Sequence, residues 1–208
     1  FGDLSAVRQG CSGFANGHGG LDFDIIQRPS VTYMPGSGRA LMLGGENSSG
    51  ETATLDLMFI PNLSNATDFG DLVAARKNGG SSGSLTRAFY AGGNIDPAYN
   101  DNNESVELKS LGNAADFGNL QSGRRDPGVT ASTTRIVYGG GSTSSPTHVD
   151  TIGYNTMATA GNAADFGNLV LARRTAVGSG NVTRGLFIGG ANPGAQEEID
   201  YITIASTG

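Results

Sequence analysis

The sequence predicts an all-β fold built from four copies of one structural unit. The first indication is the phrase Phe-Gly-(Asp/Asn)-Leu, which begins at Phe1, Phe69, Phe117 and Phe166. The last three copies lie in nearly identical longer phrases, at spacings of 48 residues (117 − 69) and 49 residues (166 − 117). Glycine contributes 34 of 208 residues, and no window combines a helical period with caps. A fixed period of this size is typical of repeat architectures and argues against one unique catalytic centre.

The last unit shows which strands the pattern predicts. Residues 184–188 are apolar, short and bounded by glycines, as in a buried strand. A variable loop follows, and residues 199–204 are rich in β-branched and aromatic residues, which indicates a second strand.

Arginines at fixed distances align four units. One arginine precedes a double glycine by five residues in every unit, at Arg39, Arg87, Arg135 and Arg184. A second arginine lies eleven residues earlier, at Arg28, Arg76, Arg124 and Arg173. The predicted units are residues 21–68, 69–116, 117–165 and 166–208, preceded by an N-terminal strand and a glycine-rich link in residues 1–20.

The N-terminal segment contains a spare copy of the phrase. Residues 21–28 are a worn version of it, and residues 1–8 are a fresh one, whereas residue 208 is reached where the next phrase is due. The last unit is therefore expected to lack its final strand. We expect the missing strand to come from the first segment, of the same chain or of a neighbouring subunit, because pairing removes exposed strand edges. Its residues are Phe1, Gly2, Asp3, Leu4, Val7 and Arg8.

The pattern resembles the kelch repeat of β-propellers. The shared features are the double glycine that ends an apolar strand, the upstream arginine, and the aromatic residue and leucine after a variable loop. Phe69, Phe117 and Phe166 take the place of the usual tryptophan, and the usual tyrosine stands only at Tyr154 and Tyr201. The resemblance implies a four-bladed kelch-like β-propeller whose last blade is completed by the N-terminal strand.

The longer phrases also look like repeats of large marine phage proteins and bacterial surface proteins. That resemblance implies a structural or adhesive protein at the cell exterior or on a virion. Its expected partners are copies of itself, other virion or surface proteins, and glycans.

Composition excludes several classes of partner. The net charge is −6, whereas nucleic-acid binding requires clustered lysine and arginine. The apolar runs are too short for a membrane span. Cys11 is the only cysteine, so no intrachain disulfide can form, and we expect this thiol to be a small packed residue.

The repeated charged residues favour structural roles over catalysis. Asp68, Asp116 and Asp165 precede the phenylalanines and recur with the arginines, as expected of ion pairs between units or of carboxylates that cap turns. An enzyme would need a carboxylate pair outside the repeat, and the sequence shows none. His18 and His148 lack zinc spacing, and residues 101–104 resemble a polar loop more than a calcium site. We therefore predict no enzyme activity, metal or cofactor.

The loops after the double glycines vary while the strands persist. Such loops either present a binding surface or simply connect strands, and the sequence favours neither alternative. Candidate ligand residues are Asn94, Tyr99, Asp101 and Asn192. A monomeric binding module for a glycan or a protein is therefore the alternative to a self-assembling structural protein.

Overall fold

The computed structural model describes residues 4, 9–15, 38–60 and 65–207. Over these residues the chain is all-β and contains no α-helix, as the sequence predicts. It forms four antiparallel sheets and two short hairpins. In the described part, no helix has the length and apolar character needed to cross a membrane.

Each of the first three sheets has four strands, and the fourth has three. Sheet I contains β1 (Ser12–Ala15), β2 (Arg39–Leu43), β5 (Thr54–Phe59) and β6 (Thr67–Asp71). Sheet II contains β7 (Gly80–Gly83), β8 (Arg87–Ala91), β11 (Asn102–Glu107) and β12 (Ala115–Asn119). Sheet III contains β13 (Gly128–Ala131), β14 (Arg135–Gly139), β15 (Thr151–Thr156) and β16 (Ala164–Asn168). Sheet IV contains β17 (Val177–Gly180), β18 (Arg184–Ile188) and β19 (Ile199–Thr203), which confirms both strands predicted for the last unit.

The two hairpins follow the double glycines of sheets I and II. They are β3 (Glu46–Asn47) with β4 (Gly50–Glu51), and β9 (Asn94–Ile95) with β10 (Ala98–Tyr99). The first strands of the four sheets, β1, β7, β13 and β17, pack side by side in chain order. Among the described residues, no sheet closes on itself.

Three hydrophobic cores lie between consecutive sheets. The first joins Leu41 and Leu55 of sheet I to Tyr90 and Val106 of sheet II. The second joins sheet II to sheet III, and the third joins sheet III to sheet IV through Val137 and Phe187. Each of the first three sheets therefore buries an apolar face against the next sheet, as layered β-folds require.

The first sheet corrects the predicted alignment of the first unit. Its inner strand is β1, which pairs antiparallel with β2 from Ser12 opposite Leu43. In sheet I the first strand begins 27 residues before Arg39 (39 − 12). In sheet II the first strand begins at Gly80, only 7 residues before the equivalent Arg87 (87 − 80). The extra twenty residues therefore lie between the first two strands of sheet I. Residues 21–28, predicted to be a worn phrase, and His18 lie outside the described residues.

Gln9 and Gly10 show which arginine completes the repeat. Gln9 bridges to Glu46 as Lys77 bridges to Asn94, and both Gly10 and Asn78 have positive φ angles of 63° and 57°. The sequence position equivalent to Arg76 is therefore that of Arg8, and the alignment with Arg28 is wrong. By sequence position, the phrase at residues 1–8 therefore corresponds to the phrases that precede sheets II, III and IV.

The sheets are offset from the predicted unit boundaries. Those boundaries cut the chain at Phe69, Phe117 and at residue 166, but the Phe-Gly phrase at each of these three positions forms the last strand of the preceding sheet. β6 pairs with β5, for example, with Thr54 opposite Asp71. Antiparallel neighbours in sequence pair most readily, so the phrase completes the sheet it follows.

A β-bulge explains the phenylalanine and the glycine of the phrase. Leu55 lies opposite Gly70 and Asp56 lies opposite Asp68, so Phe69 is the extra residue of the bulge. The same register shift occurs in sheets II and III. A bulge re-aims its side chain, and Phe69 accordingly enters the core between sheets I and II.

The glycine has a separate reason. Gly70 has a φ of 150°, and a Cβ atom there would lie 2.4 Å from the Gly112 carbonyl oxygen. Gly118 has a φ of 124°, with the Gly161 carbonyl oxygen 2.2 Å from its would-be Cβ. Only glycine permits this approach of the next unit's backbone.

Candidate assembly interface

Three buried arginines join consecutive sheets. Arg76, Arg124 and Arg173 are among the largest fully buried side chains. The carbonyl of each accepts a hydrogen bond from the double glycine of the preceding sheet: Gly45 N to Arg76 O is 2.9 Å, and Gly93 N to Arg124 O is 2.8 Å. The side chain of each enters the following sheet, so one residue anchors two sheets.

Two of these arginines have carboxylate partners that sequence reasoning missed. Arg76 Nη1 lies 2.7 Å from Glu104 Oε1, and both side chains are fully buried. Arg173 Nη1 lies 2.9 Å from Asp200 Oδ2. Both acids stand on the third strand of their sheet, opposite Tyr90 and Phe187. For Asp200 the available signal was an acid within the largely apolar strand β19, whereas the polar sequence of β11 gave no such signal for Glu104.

Arg124 is also buried, but its hydrogen-bond partners are carbonyl and hydroxyl groups instead of a carboxylate. The third strand of sheet III places Gly153 opposite Tyr138, where sheets II and IV have an acid. Arg124 Nη1 instead donates to the carbonyls of Gly140 and Thr151, each at 3.1 Å, and Nη2 donates to Ser122 Oγ at 3.1 Å. Burial lowers the pKa of Arg124, with the nearby Tyr138 acting in the opposite direction.

The second set of arginines lies over aromatic rings near the ends of the sheets. The Arg87 guanidinium lies 5.8 Å from the Phe117 ring centroid, and Arg87 also pairs with Glu107. Arg135 lies 4.3 Å from the Tyr154 ring, and Arg184 lies 5.7 Å from the Tyr201 ring. Cation–π contacts of this kind hold the strand ends against each other.

The Phe-Gly phrase fills each of the three junctions in the same way. Its phenylalanine and leucine are buried in the core between two sheets: Phe69 with Leu72, Phe117 with Leu120, and Phe166 with Leu169. Phe117 contacts Phe89 edge-on, with ring centroids 4.9 Å apart. The phrase therefore supplies both an outer strand and part of the core.

Sheet IV lacks this cover among the described residues. Its last strand, β19, has β18 on one side and no paired strand on the other. Ile199 is 62% exposed and Tyr201 is 69% exposed, whereas Ile152, at the position of Ile199 in sheet III, is 2% exposed. The result is an open strand edge beside an uncovered apolar face.

The predicted assembly strand lies almost entirely outside the described residues. Phe1, Gly2, Asp3, Val7 and Arg8 are not described, and Leu4 is half-buried and belongs to no strand. The strand addition predicted from the sequence therefore stays a prediction.

The aspartates before the phenylalanines are exposed and form no ion pair within the described ranges. Asp116 Oδ1 accepts a hydrogen bond from Gly118 N at 3.0 Å, which is the capping role expected from the sequence. Asp165 Oδ1 accepts from Gln121 Nε2 at 3.3 Å, a contact between neighbouring sheets. Asp68 lies at the equivalent position of β6, opposite Asp56.

The candidate ligand residues lie in the loops and hairpins after the double glycines. Asn94 is fully buried, and its side chain bonds Asp96 at 2.5 Å and Asn78 at 3.2 Å. The Arg125 guanidinium lies over the Tyr99 ring, 5.4 Å from the ring centroid. Asp101 Oδ2 accepts from Asn119 Nδ2 at 3.3 Å, and Asn192 Nδ2 donates to the Ala172 carbonyl at 2.6 Å. All four side chains thus have partners within the protein.

One lysine joins the first two hairpins. Lys77 Nζ lies 2.7 Å from Glu46 Oε1, 3.4 Å from Glu51 Oε1 and 2.7 Å from Asp96 Oδ2. The three carboxylates have the spacing of a cation site. The Lys77 ammonium already occupies that position, so the cluster is a salt-bridge network between sheets I and II. Sequence reasoning missed it because the four residues come from separate segments.

His148 contacts a serine but offers no nucleophile. Its Nδ1 lies 2.8 Å from Ser142 Oγ, within one loop. Ser142 is only 1% exposed, so its hydroxyl is inaccessible to a substrate. The pair closes the loop after the double glycine of sheet III.

No protein-family model matches this chain, and no curated protein matches it either. The function must therefore be argued from the geometry of the sheets and their junctions.

Proposed function

We propose that this protein is a non-enzymatic structural or adhesive protein whose copies join into a filament by strand addition. The observation that carries the proposal is the open edge of β19 in sheet IV, at the one sheet without a Phe-Gly strand among the described residues. The chain has a fourth Phe-Gly-Asp-Leu phrase at residues 1–4. We propose that this phrase of one copy pairs with β19 of the next.

The spacing of the phrase supports this pairing. Phe69, Phe117 and Phe166 each precede the first strand of the following sheet by eleven residues (80 − 69, 128 − 117 and 177 − 166). Phe1 precedes Ser12 of β1 by the same eleven residues (12 − 1). A phrase bound to β19 would therefore hold sheet I beside sheet IV, as the other phrases hold their sheets.

The energetics also favour occupation of the edge. An open edge presents unpaired N–H and C=O groups, and an added strand satisfies them by main-chain hydrogen bonds. Ile199 and Tyr201 would become buried, as would the side chains at residues 1 and 4. Each large apolar side chain that becomes fully buried contributes about 1.5–3 kcal/mol, so several together can support association.

The proposed architecture is that of a kelch-like propeller, with the four sheets as blades. The consecutive packing of β1, β7, β13 and β17 supports it, as do the double glycines after the second strands. The repeated polar residues have structural partners, which supports a non-enzymatic role. The acidic, glycine-rich and cysteine-poor composition supports a place outside the cell, in a filament or on a virion surface.

The test compares the full chain with a variant that lacks residues 1–8. We expect the full chain to form filaments by electron microscopy and polydisperse oligomers by light scattering. The deletion variant should remain a folded monomer with the same β-sheet circular dichroism. A synthetic peptide of residues 1–8 should inhibit filament growth, because it would occupy the open edge.

Two results would contradict the proposal. Filaments that persist after the deletion would show that the strand is not the connection. A full chain that stays monomeric and binds a glycan surface would favour a monomeric binding module.

A further inference from the structure

An arginine side chain of one sheet donates a hydrogen bond to the main chain of the next sheet at each of the three junctions. In sheets I, II and III, the arginine that begins the second strand donates to the main chain at the end of the next sheet. Arg87 Nη1 donates to Met157 O at 3.1 Å, and Arg135 Nη1 donates to Ile204 O at 2.8 Å. Arg39 Nη1 donates to Leu108 O in the same way. The donor always comes from the earlier sheet.

A second series of hydrogen bonds joins the backbone groups before the inner strands, and there the donor always belongs to the later sheet. Asn78 N donates to Gly10 O at 2.9 Å, Asp126 N donates to Asn78 O at 2.7 Å, and Thr175 N donates to Asp126 O at 2.9 Å. All four residues have positive φ angles between 55° and 63°. Thr175 is β-branched and strained there, so the repeated geometry is imposed by the junction.

Both series stop at sheet IV. Arg184 occupies the position of Arg135 but is exposed, and its guanidinium makes no hydrogen bond to a described residue. On sheet I, Ile60 holds the position of Ile204, since both donate their amide to the residue before the second strand (Gly38 and Thr183). Ile60 O accepts no hydrogen bond from the described part of the chain. Gly10 N and Thr175 O are likewise not joined to each other.

The inner strand of sheet IV is open on the same side. Val177 of β17 is 62% exposed, whereas Gly128 at the equivalent position of β13 is buried, with the Ala176 carbonyl oxygen 2.9 Å from its would-be Cβ. Val129 is covered by β17, whose Gly178 would place a Cβ atom 2.0 Å from the Val129 carbonyl oxygen. The described residues of sheet I therefore do not cover sheet IV as sheet IV covers sheet III.

The two open surfaces are complementary halves of one junction. Sheet IV presents the Arg184 donor and the Thr175 carbonyl, and sheet I presents the Ile60 carbonyl and the Gly10 amide. Two different surfaces that complement each other give a heterologous contact, which propagates into a filament unless the rotation closes a ring.

We infer that sheet IV docks onto sheet I of a second copy, with Arg184 of one copy donating to the Ile60 carbonyl of the next. The inference rests on the proposed function, since strand addition brings these two sheets together. It adds the residues and the polarity of the contact, which strand addition alone does not specify.

The first experiment replaces the donor. Arg184→Gln removes one charge-assisted hydrogen bond, so the protein concentration at which filaments appear should rise by about tenfold, with monomer unfolding unchanged. Arg135→Gln is the matched control, because it removes the same bond within one chain. Arg135→Gln should lower the urea concentration at the unfolding midpoint. The protein concentration at which filaments appear should not change when it is measured at urea concentrations below that midpoint.

The second experiment tests polarity by mixing two blocked variants. The double substitution Ile199→Lys and Tyr201→Lys blocks sheet IV, and deletion of residues 1–8 blocks the other end. Each variant alone should be monomeric, and the mixture should give a 1:1 complex that grows no further, by light scattering with mass determination.

The outcomes separate the two proposals. A full chain that never associates overturns the proposed function and this inference with it. Filaments that form with an unchanged threshold for Arg184→Gln overturn the inference alone. So does a deletion variant that dimerises by itself, since that result would mean that sheet IV pairs with another sheet IV.

Discussion

Replacing Glu104 by glutamine tests whether a buried ion pair fixes the junction between sheets I and II. Glu104 Oε1 lies 2.7 Å from Arg76 Nη1, and its Oε2 accepts from Val73 N at 2.8 Å. Glutamine preserves the shape but removes the negative charge, and its single carbonyl oxygen cannot replace both carboxylate oxygens. The other acceptors of Arg76, Tyr90 O and Asn100 Oδ1, are each 3.4 Å away.

The expected cost follows from burial. Removing one partner of a fully buried pair costs about 3–5 kcal/mol, because the other charge stays desolvated. Burial raises the pKa of Glu104 despite the attraction of Arg76, which shows that desolvation is the larger effect. Replacing both partners by apolar residues, as in Arg76→Met with Glu104→Leu, should therefore cost less than Glu104→Gln alone.

Urea unfolding followed by circular dichroism measures these free energies, with the chain held below its association threshold. The matched control is Glu107→Gln, because Glu107 pairs with Arg87 but is 49% exposed. Its loss should cost at most about 1 kcal/mol. If Glu104→Gln costs no more than Glu107→Gln, or less than the double replacement, the argument from a buried charge is wrong.

Two further predictions concern the double glycine and the lysine network. Gly92→Ala should lower the free energy of unfolding by about 2–4 kcal/mol, because Gly92 has a φ of 66° and a Cβ atom would lie 2.5 Å from the Arg124 carbonyl oxygen. Gly161→Ala, with no atom within 4 Å of its would-be Cβ, should change it by no more than about 0.5 kcal/mol in the same urea titration. Lys77→Met should make the stability of the protein depend less steeply on pH in the acid range. Lys77 hydrogen bonds are the main cause that lowers the pKa values of Glu46 and Asp96 below 4.5 and 3.8. Lowered carboxyl pKa values stabilise the fold above those values, and this stability is lost as the pH falls through the folded-state pKa. Unfolding midpoints measured from pH 6 to pH 3 should fall more steeply for the wild-type chain than for Lys77→Met, and parallel curves would contradict the role of Lys77.

The strands and their repeat were predictable because their signals are local. Residues 184–188 form β18 as expected from their apolar character and flanking glycines. The phrase around Phe117 predicts a recurring element, and its recurrence is independent of any long-range contact. Arg76, Arg124 and Arg173 were also identified as structural residues from their spacing.

The partners of those residues were not predictable in the same way. Glu104 lies in β11, which is separated from β7, the strand that follows Arg76, by β8. Its pairing with Arg76 depends on how sheets I and II meet. The alignment of the first unit failed for a related reason. An insertion of twenty residues looks the same in the sequence before or after β1, and only the pairing of Ser12 with Leu43 distinguishes the two positions.

By itself, the sequence determined the β-class, the repeated unit and the recurrence of the Phe-Gly phrase, because composition, period and strand pattern are carried by neighbouring residues. Only the tertiary structure decided that the phrase belongs to the preceding sheet, that Lys77 fills the acidic cluster, and that no described strand pairs with the outer side of β19. These features depend on groups distant in sequence that meet when sheets pack, and hydrogen-bond geometry and burial exist only after that packing.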